Sequence, residues 1–514
     1  MRINRQTKKD MGAIKNHSTE RILESIEDKT DAYWEREQKK KTLQLFNEAA
    51  RRVPAYKKFL KKHRISPRNI RTFKDLQKVP AITKSNYLQK YTLEQLSWDG
   101  VLNSSSNNSL VFTSTSGSTG EPFYFSRNGV VDQQAAAIHE LFFKNGELSP
   151  KSPTLVIVCF GMGVWVGGLI TYQAFEITGR GKCPISIITP GINKAEIFKI
   201  LKKLSPHFKQ TILAGYPPFL KDIVDEADDR KIKLKKLNIR LLFAAEAFTE
   251  NFRDYLAKKT KLDNVLLDTM NIYGSADIGA MAFETPLSIL IRKIAVKNPK
   301  IFKDIFSDIS KMPTLTQYIP SFISFETRDD KLHLTGNSSI PLVNYSIGDH
   351  GGTFTFSQIK KKFASHKINL NREVKKAGIK NYIYQLPFVY VYERIDMSTT
   401  LYGLQIYPET IREVLLKKPF SELLTGKLTL ISKFDINHNQ YLEINLEMRK
   451  KRKVSNMLKT QLLNGIINNL RVKNSEFREL SDFLGDRAEP SLVFWPQEDP
   501  LYFKTGIKQK WVDK

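Results

Sequence analysis

The fold is decided by an uncharged stretch at residues 155–175, whose sequence is LVIVCFGMGVWVGGLITYQAF. Its length approaches that of a membrane-spanning helix. Residues 155–160 are nevertheless rich in β-branched side chains, which favour a strand, and the glycines of residues 161–168 would weaken a helix that faces lipid. We therefore predict a buried strand, a glycine-containing turn and a buried helix here, and no transmembrane span.

Strand-like and helix-like segments continue to alternate on the C-terminal side of this stretch. Short apolar runs that predict strands occur at residues 154–160, 185–189, 211–214 and 241–244. Segments with a helical spacing of apolar residues occur at residues 194–204, 218–227 and 249–258. Alternation of this kind predicts an α/β fold in which a largely parallel sheet carries helices on its faces.

The sequence changes character beyond residue 327. Residues 331–335 alternate between polar and apolar side chains, and residues 351–356 follow a glycine turn. Both patterns are typical of mixed or antiparallel strands. We expect these strands to form a second sheet or a small barrel.

The last part of the chain predicts a compact α+β unit. Its expected elements are a helix at 407–416, strands at 428–431 and 441–448, a helix at 454–470 and a strand at 492–494. We therefore divide the chain into a large N-terminal domain of parallel and mixed sheets, residues 1–392, and a small, mobile C-terminal domain, residues 393–514. The large domain begins with a helical lead-in over residues 1–100.

The composition of the 514 residues permits a large core, since 41% are hydrophobic and 11% aromatic. Lys and Arg number 81 against 53 Asp and Glu, a formal net charge of +28 that favours anionic partners such as nucleotides. The basic runs lack the interleaved aromatic side chains of known nucleic-acid-binding modules, so we predict no nucleic-acid partner. The sequence carries no signal for an oligomeric state.

The cysteines and the N-terminus bear on location. Cys159 and Cys183 are the only cysteines, and both lie in apolar surroundings. They do not suggest a disulfide framework and cannot hold zinc by themselves. The charged residues 1–5 are not followed by the apolar segment of an export signal. We therefore predict a cytoplasmic protein.

The strongest local signal for chemistry is FTSTSGSTGEP at residues 112–122, which is crowded with hydroxyl groups. Its glycines permit backbone N–H groups to approach phosphate oxygens closely. No Gly-Lys-Ser/Thr sequence closes the loop, so it is not a Walker A loop. A cluster of Ser, Thr and Gly is by itself also typical of a solvated linker.

Five further motifs follow this loop in a fixed order. They are AAEA at 244–247, NIYGSADIG at 271–279, YSIGD at 345–349, ERID at 393–396 with YGLQIYPE at 402–409, and TGIKQKWV at 505–512. Each is ordinary alone, as a turn or a solvated tail. Together with TSGSTGEP at 115–122, they resemble the signature motifs of adenylate-forming enzymes. The likeness covers residue 31 to the C-terminus, and is greatest to the phenylacetate-CoA ligase, coenzyme F390 synthetase and capsule-biosynthesis CapK-like group.

The resemblance implies an ATP site. The residues that it assigns to the nucleotide are Thr115, Ser116, Gly117, Ser118, Thr119, Gly120, Ala245, Glu246, Tyr273, Gly274, Ser275, Asp349 and Arg394. The loop would hold the phosphates, Tyr273 would pack on the adenine, and Asp349 would accept hydrogen bonds from both ribose hydroxyls.

The resemblance also implies roles in catalysis and motion. Asp277 would bind Mg²⁺, Lys508 would bridge the acyl carboxylate and the α-phosphate, and Asp396 would be the hinge for the C-terminal domain. Such a site must neutralise charge, because a carboxylate attacking a phosphate brings two anions together. By family position the acyl pocket would include Gly163, Gly215 and Tyr216, although ordinary packing at strand ends explains such residues equally well.

Four positions depart from the family pattern, and one of them is Phe123, where many relatives carry a basic residue. Asp277 stands where the family usually has glutamate, and Ala276 stands where it has threonine. Ile507 replaces a glycine before the lysine, which leaves Lys510 as an alternative to Lys508. We prefer Lys508 because KQKWV at 508–512 aligns best with the ending of the relatives.

The expected function is that of an AMP-forming acid–thiol ligase. With ATP and Mg²⁺ it would activate a small carboxylic acid as the acyl-adenylate, and then pass the acyl group to CoA or a carrier thiol. One alternative is transfer of the acyl or adenylyl group to a hydroxyl or amine, as in the F390 synthetase relatives. Another is a catalytically lapsed, CapK-like protein in polysaccharide or surface-polymer biosynthesis.

Overall fold

The computed structural model describes residues 19–102, 110–114, 123–146, 148, 150–164, 166–180, 183–306, 312–392, 399–401, 404–435, 440–504, 509 and 511–513. The helices are α1 (Thr19–Asp28), α2 (Asp31–Arg52), α3 (Pro54–Lys62), α4 (Leu93–Leu96), α5 (Gly129–Lys144), α6 (Val166–Gly179), α7 (Lys194–Lys203), α8 (Pro217–Asp229), α9 (Glu250–Thr260), α10 (Pro286–Lys297), α11 (Pro299–Phe306), α12 (Phe356–Ser365), α13 (Leu370–Lys376), α14 (Pro408–Leu415), α15 (Phe420–Leu423), α16 (Asn456–Lys473) and α17 (Ser475–Leu484).

The strands are β1 (Val111–Ser114), β2 (Tyr124–Arg127), β3 (Thr154–Cys159), β4 (Ile185–Ile188), β5 (Gln210–Gly215), β6 (Ile239–Ala244), β7 (Thr269–Ser275), β8 (Gly279–Phe283), β9 (Thr314–Gln317), β10 (Ile323–Arg328), β11 (Lys331–Gly336), β12 (Leu342–Phe354), β13 (Phe388–Tyr392), β14 (Thr399–Leu401), β15 (Leu404–Ile406), β16 (Leu424–Phe434), β17 (Gln440–Met448), β18 (Ser491–Trp495) and β19 (Val512–Asp513).

One mixed sheet of 11 strands forms the centre of the N-terminal part, in the order β10-β11-β12-β13-β9-β8-β7-β6-β5-β3-β4. The strands from β4 to β7 in this order pair in parallel. Each pairing from β7 to β10 is antiparallel. Helices α7, α8 and α9 connect the successive parallel strands. The predicted α/β class and the predicted alternation are therefore confirmed.

Strand β3 is buried on both of its faces. Val156 and Val158 belong to the hydrophobic cluster on one side of the sheet, and Leu155 and Ile157 belong to the cluster on the other side. Successive side chains of a strand point to opposite faces, so a strand covered on both sides needs apolar residues throughout. The chain then turns into α6, which confirms the predicted strand, turn and helix. No helix in the described part of the chain is long and apolar enough to cross a membrane.

The expectation of a second sheet or barrel beyond residue 327 is wrong. Strand β9 pairs with β8 on one side, through Phe283 and Gln317, and with β13 on the other side. The antiparallel strands therefore extend the parallel sheet instead of forming their own. Alternation of polar and apolar residues identifies a strand, but it does not determine which neighbour the strand pairs with.

Side-chain caps mark the start of two of the helices that follow the parallel strands, α7 and α9. The backbone N–H of Glu196 donates to Asn193 Oδ1 at 3.1 Å before α7, and that of Phe252 donates to Thr249 Oγ1 at 3.2 Å before α9. A cap of this kind stabilises a helix by about 1 kcal/mol. The cap at Thr249 leaves residues 245–248 as a short turn between β6 and α9.

The C-terminal part is built on a four-stranded sheet in the order β18-β17-β16-β19. Strands β16 and β17 are antiparallel, while β18 and β19 join in parallel at the two edges. Leu415, Leu430, Ile444 and Ile466 belong to a hydrophobic cluster formed within this part of the chain. The order of helix, strands, helix and strand is the predicted one.

Candidate active site

Several of the described residues predicted to bind nucleotide or acid lie at one edge of the large sheet. Strands β5, β6 and β7 are parallel neighbours, so their C-terminal ends meet at the same edge. Gly215 ends β5, Ala245 follows β6, and Tyr273 lies near the end of β7. Open α/β sheets bind their ligands at such an edge.

The turn after β6 has an unusual backbone. Ala245 has φ of +74°, in the left-handed region that costs a residue with a side chain about 1–3 kcal/mol. The turn is held from β7, because Asn271 Nδ2 donates to the carbonyl oxygen of Glu246 at 3.1 Å. Ala245 is exposed and Glu246 is buried. The turn thus presents its backbone at the sheet edge and directs a carboxylate inward.

Tyr216 connects the ends of three strands. Its ring packs edge-on against Phe160 with 5.0 Å between centroids. Burial raises the pKa of Tyr216, a hydrogen bond to the backbone of Gly161 opposes this, and the charge of Glu246 adds to the rise. Tyr216, which follows β5, therefore contacts the residues that follow β3, and it lies close enough to Glu246, which follows β6, for the charge of Glu246 to affect its pKa.

The two glycines predicted for the acyl pocket differ in their surroundings. A Cβ added to Gly215 would lie 2.8 Å from Leu220 Cδ2 and 3.1 Å from Cys159 Cβ, so this glycine is required for close packing. A Cβ added to Gly163 would meet no described atom within 4 Å. Packing at the strand end therefore accounts for Gly215, whereas no contact with a described residue accounts for Gly163.

Tyr273 and Asp349 are joined directly. The hydroxyl of Tyr273, on β7, donates to Asp349 Oδ2, on β12, at 2.5 Å. Asp349 is buried and follows Gly348, whose φ of +90° suits glycine. The structure thus brings together the residues predicted for adenine and ribose, and it gives Asp349 a fixed orientation.

Asp277 is engaged by two other side chains. Its Oδ2 accepts a hydrogen bond from the hydroxyl of Tyr345 at 2.6 Å, and its Oδ1 lies 3.6 Å from the ammonium of Lys84. The Asp277 side chain is only 3% exposed, and that of Lys84 is 37% exposed. A buried carboxylate requires such partners, because otherwise nothing would offset the free-energy cost of removing its charge from water.

These surroundings do not fit a magnesium ion held by Asp277. The proton of Tyr345 and the charge of Lys84 already compete for the oxygens of Asp277 that a metal would use. We therefore derive no catalytic step through a metal at this residue.

Several predicted residues lie outside the described part of the chain. They are the loop Thr115, Ser116, Gly117, Ser118, Thr119 and Gly120, the nucleotide-binding candidate Arg394, the hinge candidate Asp396, and the lysines Lys508 and Lys510. The strands that flank the loop are described, and they pair at Ser114 and Tyr124. The backbone N–H of Ser114 donates to the carbonyl of Val164 at 3.0 Å, next to Gly163. Ser114, the last described residue before the loop, therefore lies beside the segment that follows β3.

The C-terminal tail also reaches this edge. The indole N–H of Trp511 donates to Glu246 Oε2 at 3.1 Å, and both residues are buried. On one side of Trp511, Gln509 donates to the carbonyl of Leu428 at 3.2 Å, and on the other side β19 pairs with β16. The tail is thus bound to the C-terminal sheet while its indole touches the turn after β6.

A second contact between the two parts of the chain is ionic. We refer to it as the α8 ion-pair cluster, formed by Lys194, Lys221, Asp222, Asp225, Lys427, Glu447, Arg449 and Glu498. Asp222 lies 2.7 Å from Lys427, and Asp225 lies 2.6 Å from Arg449. Burial would raise the pKa of Asp225, but its cationic neighbours outweigh burial and lower the pKa to about 2.

Sequence reasoning missed Lys84, the role of Tyr345 and the α8 ion-pair cluster. Lys84 is one lysine among many and belongs to none of the motifs. Tyr345 begins the YSIGD motif, yet nothing in that motif indicates that its hydroxyl binds Asp277. Helix α8 carries charged residues on a face that packs against another part of the chain, and the sequence alone suggests a solvated face there.

Comparison with known proteins adds evidence on the fold. No protein-family model and no curated protein matches this sequence. The crystal structure of 2-hydroxyisobutyryl-CoA ligase in the postadenylation state with 2-HIB-AMP matches with a TM-score of 0.63 at 13% identity, covering 92% of this chain and 88% of that chain. The same ligase in the thioesterification state, with 2-HIB-AMP and CoA, matches with a TM-score of 0.53 at 14% identity, covering 95% and 90%. The chain therefore shares the fold of 2-hydroxyisobutyryl-CoA ligase.

Proposed function

We propose that this protein uses ATP to activate a small carboxylic acid as its acyl-adenylate. The observation that carries the proposal is the hydrogen bond from Trp511 to Glu246, because it brings the C-terminal tail to the sheet edge where Tyr216, Ala245 and Tyr273 lie. Lys508 is separated from Trp511 by only two residues in the sequence. The adenylating enzymes that this sequence resembles use a tail lysine at that motif position.

In the proposed reaction a carboxylate oxygen of the acid attacks the α-phosphorus of ATP. A new O–P bond forms, the bond between the α-phosphorus and the bridging oxygen breaks, and pyrophosphate leaves with the electron pair. The loop at 115–120 would hold the outer phosphates through N–H and hydroxyl groups. Asp349, oriented by Tyr273, would accept from the ribose hydroxyls, and Lys508 would offset the charge of the two reacting anions. Magnesium would enter with the ATP phosphates.

We further propose that the acyl group passes to the thiol of CoA or of an acyl carrier. This step rests on the resemblance to the phenylacetate-CoA ligase group and on the fold shared with a CoA ligase. Residues 393–514 would act as a lid that turns about Asp396 between the two steps. A cytoplasmic location belongs to the same proposal, since both cysteines are unpaired and ATP is plentiful there.

The direct test is ATP–pyrophosphate exchange with the full chain and a broad panel of aryl and alkyl carboxylic acids. We expect exchange with at least one acid, and a loss of about a hundredfold or more in Lys508→Ala, because an oriented cation at a reacting anion contributes that much. Lys510→Ala is the matched control and should retain activity within about threefold. Absence of both exchange and ATP binding would refute the proposal.

The acceptor is identified by mass spectrometry of the products. A thioester formed with CoA or a carrier supports the ligase, whereas an acyl or adenylyl adduct on a hydroxyl or amine supports the F390 synthetase-like alternative. Tight ATP binding without turnover, unchanged in Lys508→Ala, would instead indicate a lapsed, CapK-like protein. The first two outcomes give products of different mass, and the third gives no product.

A further inference from the structure

The segment that carries Lys84 is attached to the strand that carries Tyr345. The backbone N–H of Ile82 donates to the carbonyl of Asn344 at 3.1 Å, and that of Ser346 donates to the carbonyl of Ile82 at 2.9 Å. The next residues close a turn, in which the backbone N–H of Thr83 donates to Asn86 Oδ1 at 2.7 Å. The backbone at Lys84 is therefore held in place from both sides.

The ammonium of Lys84 is close to Asp277, and its N–H groups donate no hydrogen bond to a described residue. It lies 3.6 Å from Asp277 Oδ1, a distance of electrostatic attraction that is too long for a hydrogen bond. Across the described part of the chain no hydrogen bond from this ammonium is found, although a lysine has three N–H donors. The side chain is 37% exposed, so it is accessible from solvent.

The surroundings of Asp277 include residues that follow the predicted phosphate loop in the sequence. Phe123, which follows the loop, packs against the same hydrophobic cluster as Ala276. Phe125 of β2, Ile278 and Tyr345 are buried members of that cluster. Phe123, the first described residue after the loop, and Ala276 and Tyr345, which neighbour or bind Asp277, therefore pack in or against one hydrophobic cluster.

We propose that Lys84 binds the phosphate groups of the nucleotide and supplies, beside Asp277, the positive charge that the family resemblance assigns to a protein-held metal. This inference rests on the proposed function. The carboxylate of Asp277 would orient the ammonium, and Tyr345 would hold the carboxylate. Lysine is a suitable residue for this role, because its compact charge binds phosphate without demanding a fixed geometry.

A simpler interpretation is that Lys84 only balances the charge of Asp277. In that case removal of the ammonium would disturb the buried carboxylate, and it would affect every ligand of the site alike. Phosphate binding by Lys84 predicts instead a loss that grows with the number of phosphates. The two interpretations therefore differ in how ATP binding and adenosine binding change.

The test is calorimetric binding of ATP and adenosine to the full chain, in excess Mg²⁺ and in EDTA. Lys84→Met should weaken ATP binding tenfold or more and adenosine binding less than twofold, while Lys84→Arg should bind ATP within about threefold of wild type. Lys90→Met, which removes an exposed lysine of the same segment, is the control. The fold-change in ATP affinity between Mg²⁺ and EDTA should be equal in wild type and Asp277→Asn.

Two results would overturn the assignment of Lys84 to phosphate binding without refuting the proposed function. Equal losses of ATP and adenosine affinity in Lys84→Met would make Lys84 a structural residue. Loss of the Mg²⁺ dependence in Asp277→Asn would make Asp277 a metal ligand. Failure of wild type to bind ATP at all would instead refute the proposed function, so the two failures are distinguishable.

Discussion

The indole nitrogen of Trp511 lies 3.1 Å from Glu246 Oε2 and donates a hydrogen bond to it. Glu246 belongs to the turn after β6, and Trp511 directly precedes β19, so this bond joins the sheet edge to the tail. Neither side chain is exposed to solvent, which makes the bond stronger than it would be in water. Adenylation as proposed depends on this junction.

We expect Trp511→Phe to loosen the tail. The variant keeps an aromatic ring but leaves the carboxylate of Glu246 without the indole donor, and a hydrogen bond to a charged group contributes about 1.5–3 kcal/mol. Hydrogen exchange of the β19 amides should accelerate by one to two orders of magnitude, as that free energy predicts, measured by mass spectrometry.

The matched control for this variant is Trp495→Phe. The indole of Trp495 donates to Asn445 Oδ1 at 2.6 Å, so the lost bond lies wholly within the C-terminal part. Exchange near β18 should then change while the contact with Glu246 persists. If both variants affected β19 equally, the bond between Trp511 and Glu246 would not be what secures the tail.

The α8 ion-pair cluster predicts a large cost for Lys427→Met. Lys427 lies 2.7 Å from Asp222, which is only 3% exposed. The variant therefore removes a cation that offsets the cost of burying the Asp222 carboxylate. Breaking a buried pair in this way costs about 3–5 kcal/mol. The free energy of unfolding, measured by urea titration followed by circular dichroism, should fall accordingly.

Two further variants sharpen that measurement. Lys418→Met removes an exposed lysine that pairs with Glu422, and it should leave the free energy of unfolding unchanged. The double variant Lys427→Met/Asp222→Leu should recover much of the lost stability, because it removes the stranded charge. A double variant as unstable as Lys427→Met would contradict the ion-pair explanation.

Asp225 predicts a dependence of stability on pH. Its folded pKa of about 2 lies below the ordinary value of about 3.9, so its stabilising effect is complete above pH 4 and is lost as the pH falls towards 2. The shift corresponds to about 2.5 kcal/mol. The difference in unfolding free energy between wild type and Asp225→Asn should shrink by about that amount from pH 5 to pH 2.

Asp228→Asn is the control for this titration, because Asp228 is an exposed residue of the same helix. The difference in unfolding free energy between wild type and Asp228→Asn should stay small at every pH. The cations that hold Asp225 charged are Lys221 and Arg449, and the hydroxyl of Tyr255 also donates to it at 2.5 Å. A constant difference between wild type and Asp225→Asn over the range would mean that these groups do not lower its pKa.

The bond between Tyr273 and Asp349 predicts a graded effect on nucleotide binding. Asp349→Asn should weaken AMP binding about tenfold or more, because a carboxylate accepts two ribose hydroxyls better than an amide does. Tyr273→Phe should weaken it by a smaller factor, about threefold, since it only frees the carboxylate to rotate. Calorimetry with AMP and 2′-deoxy-AMP measures both.

The deoxy compound shows whether the ribose is the ligand of Asp349. Wild type should prefer AMP over 2′-deoxy-AMP, and Asp349→Asn should lose most of that preference. An unchanged preference in Asp349→Asn would remove Asp349 from the ribose site and leave the bond to Tyr273 as a purely structural one.

Local patterns were sufficient for most of the elements. The run at 155–175 predicted β3 and the helix after it, and the order of elements in the C-terminal part was also predicted, because burial on a strand or helix leaves a period in the sequence. The family likeness remains a resemblance of ordered motifs, to which the structure adds the shared fold. The roles of Lys508 and of the loop at 115–120 stay predictions.

The sequence by itself thus determined which segments are strands and helices, and which residues are candidates for the site. Only the tertiary structure decided that the antiparallel strands extend the parallel sheet, that Lys84 faces Asp277, and that Trp511 contacts Glu246. The physical reason is that periodicity is a local property of the chain. Strand pairing and the compensation of buried charges instead depend on which distant residues become neighbours in space.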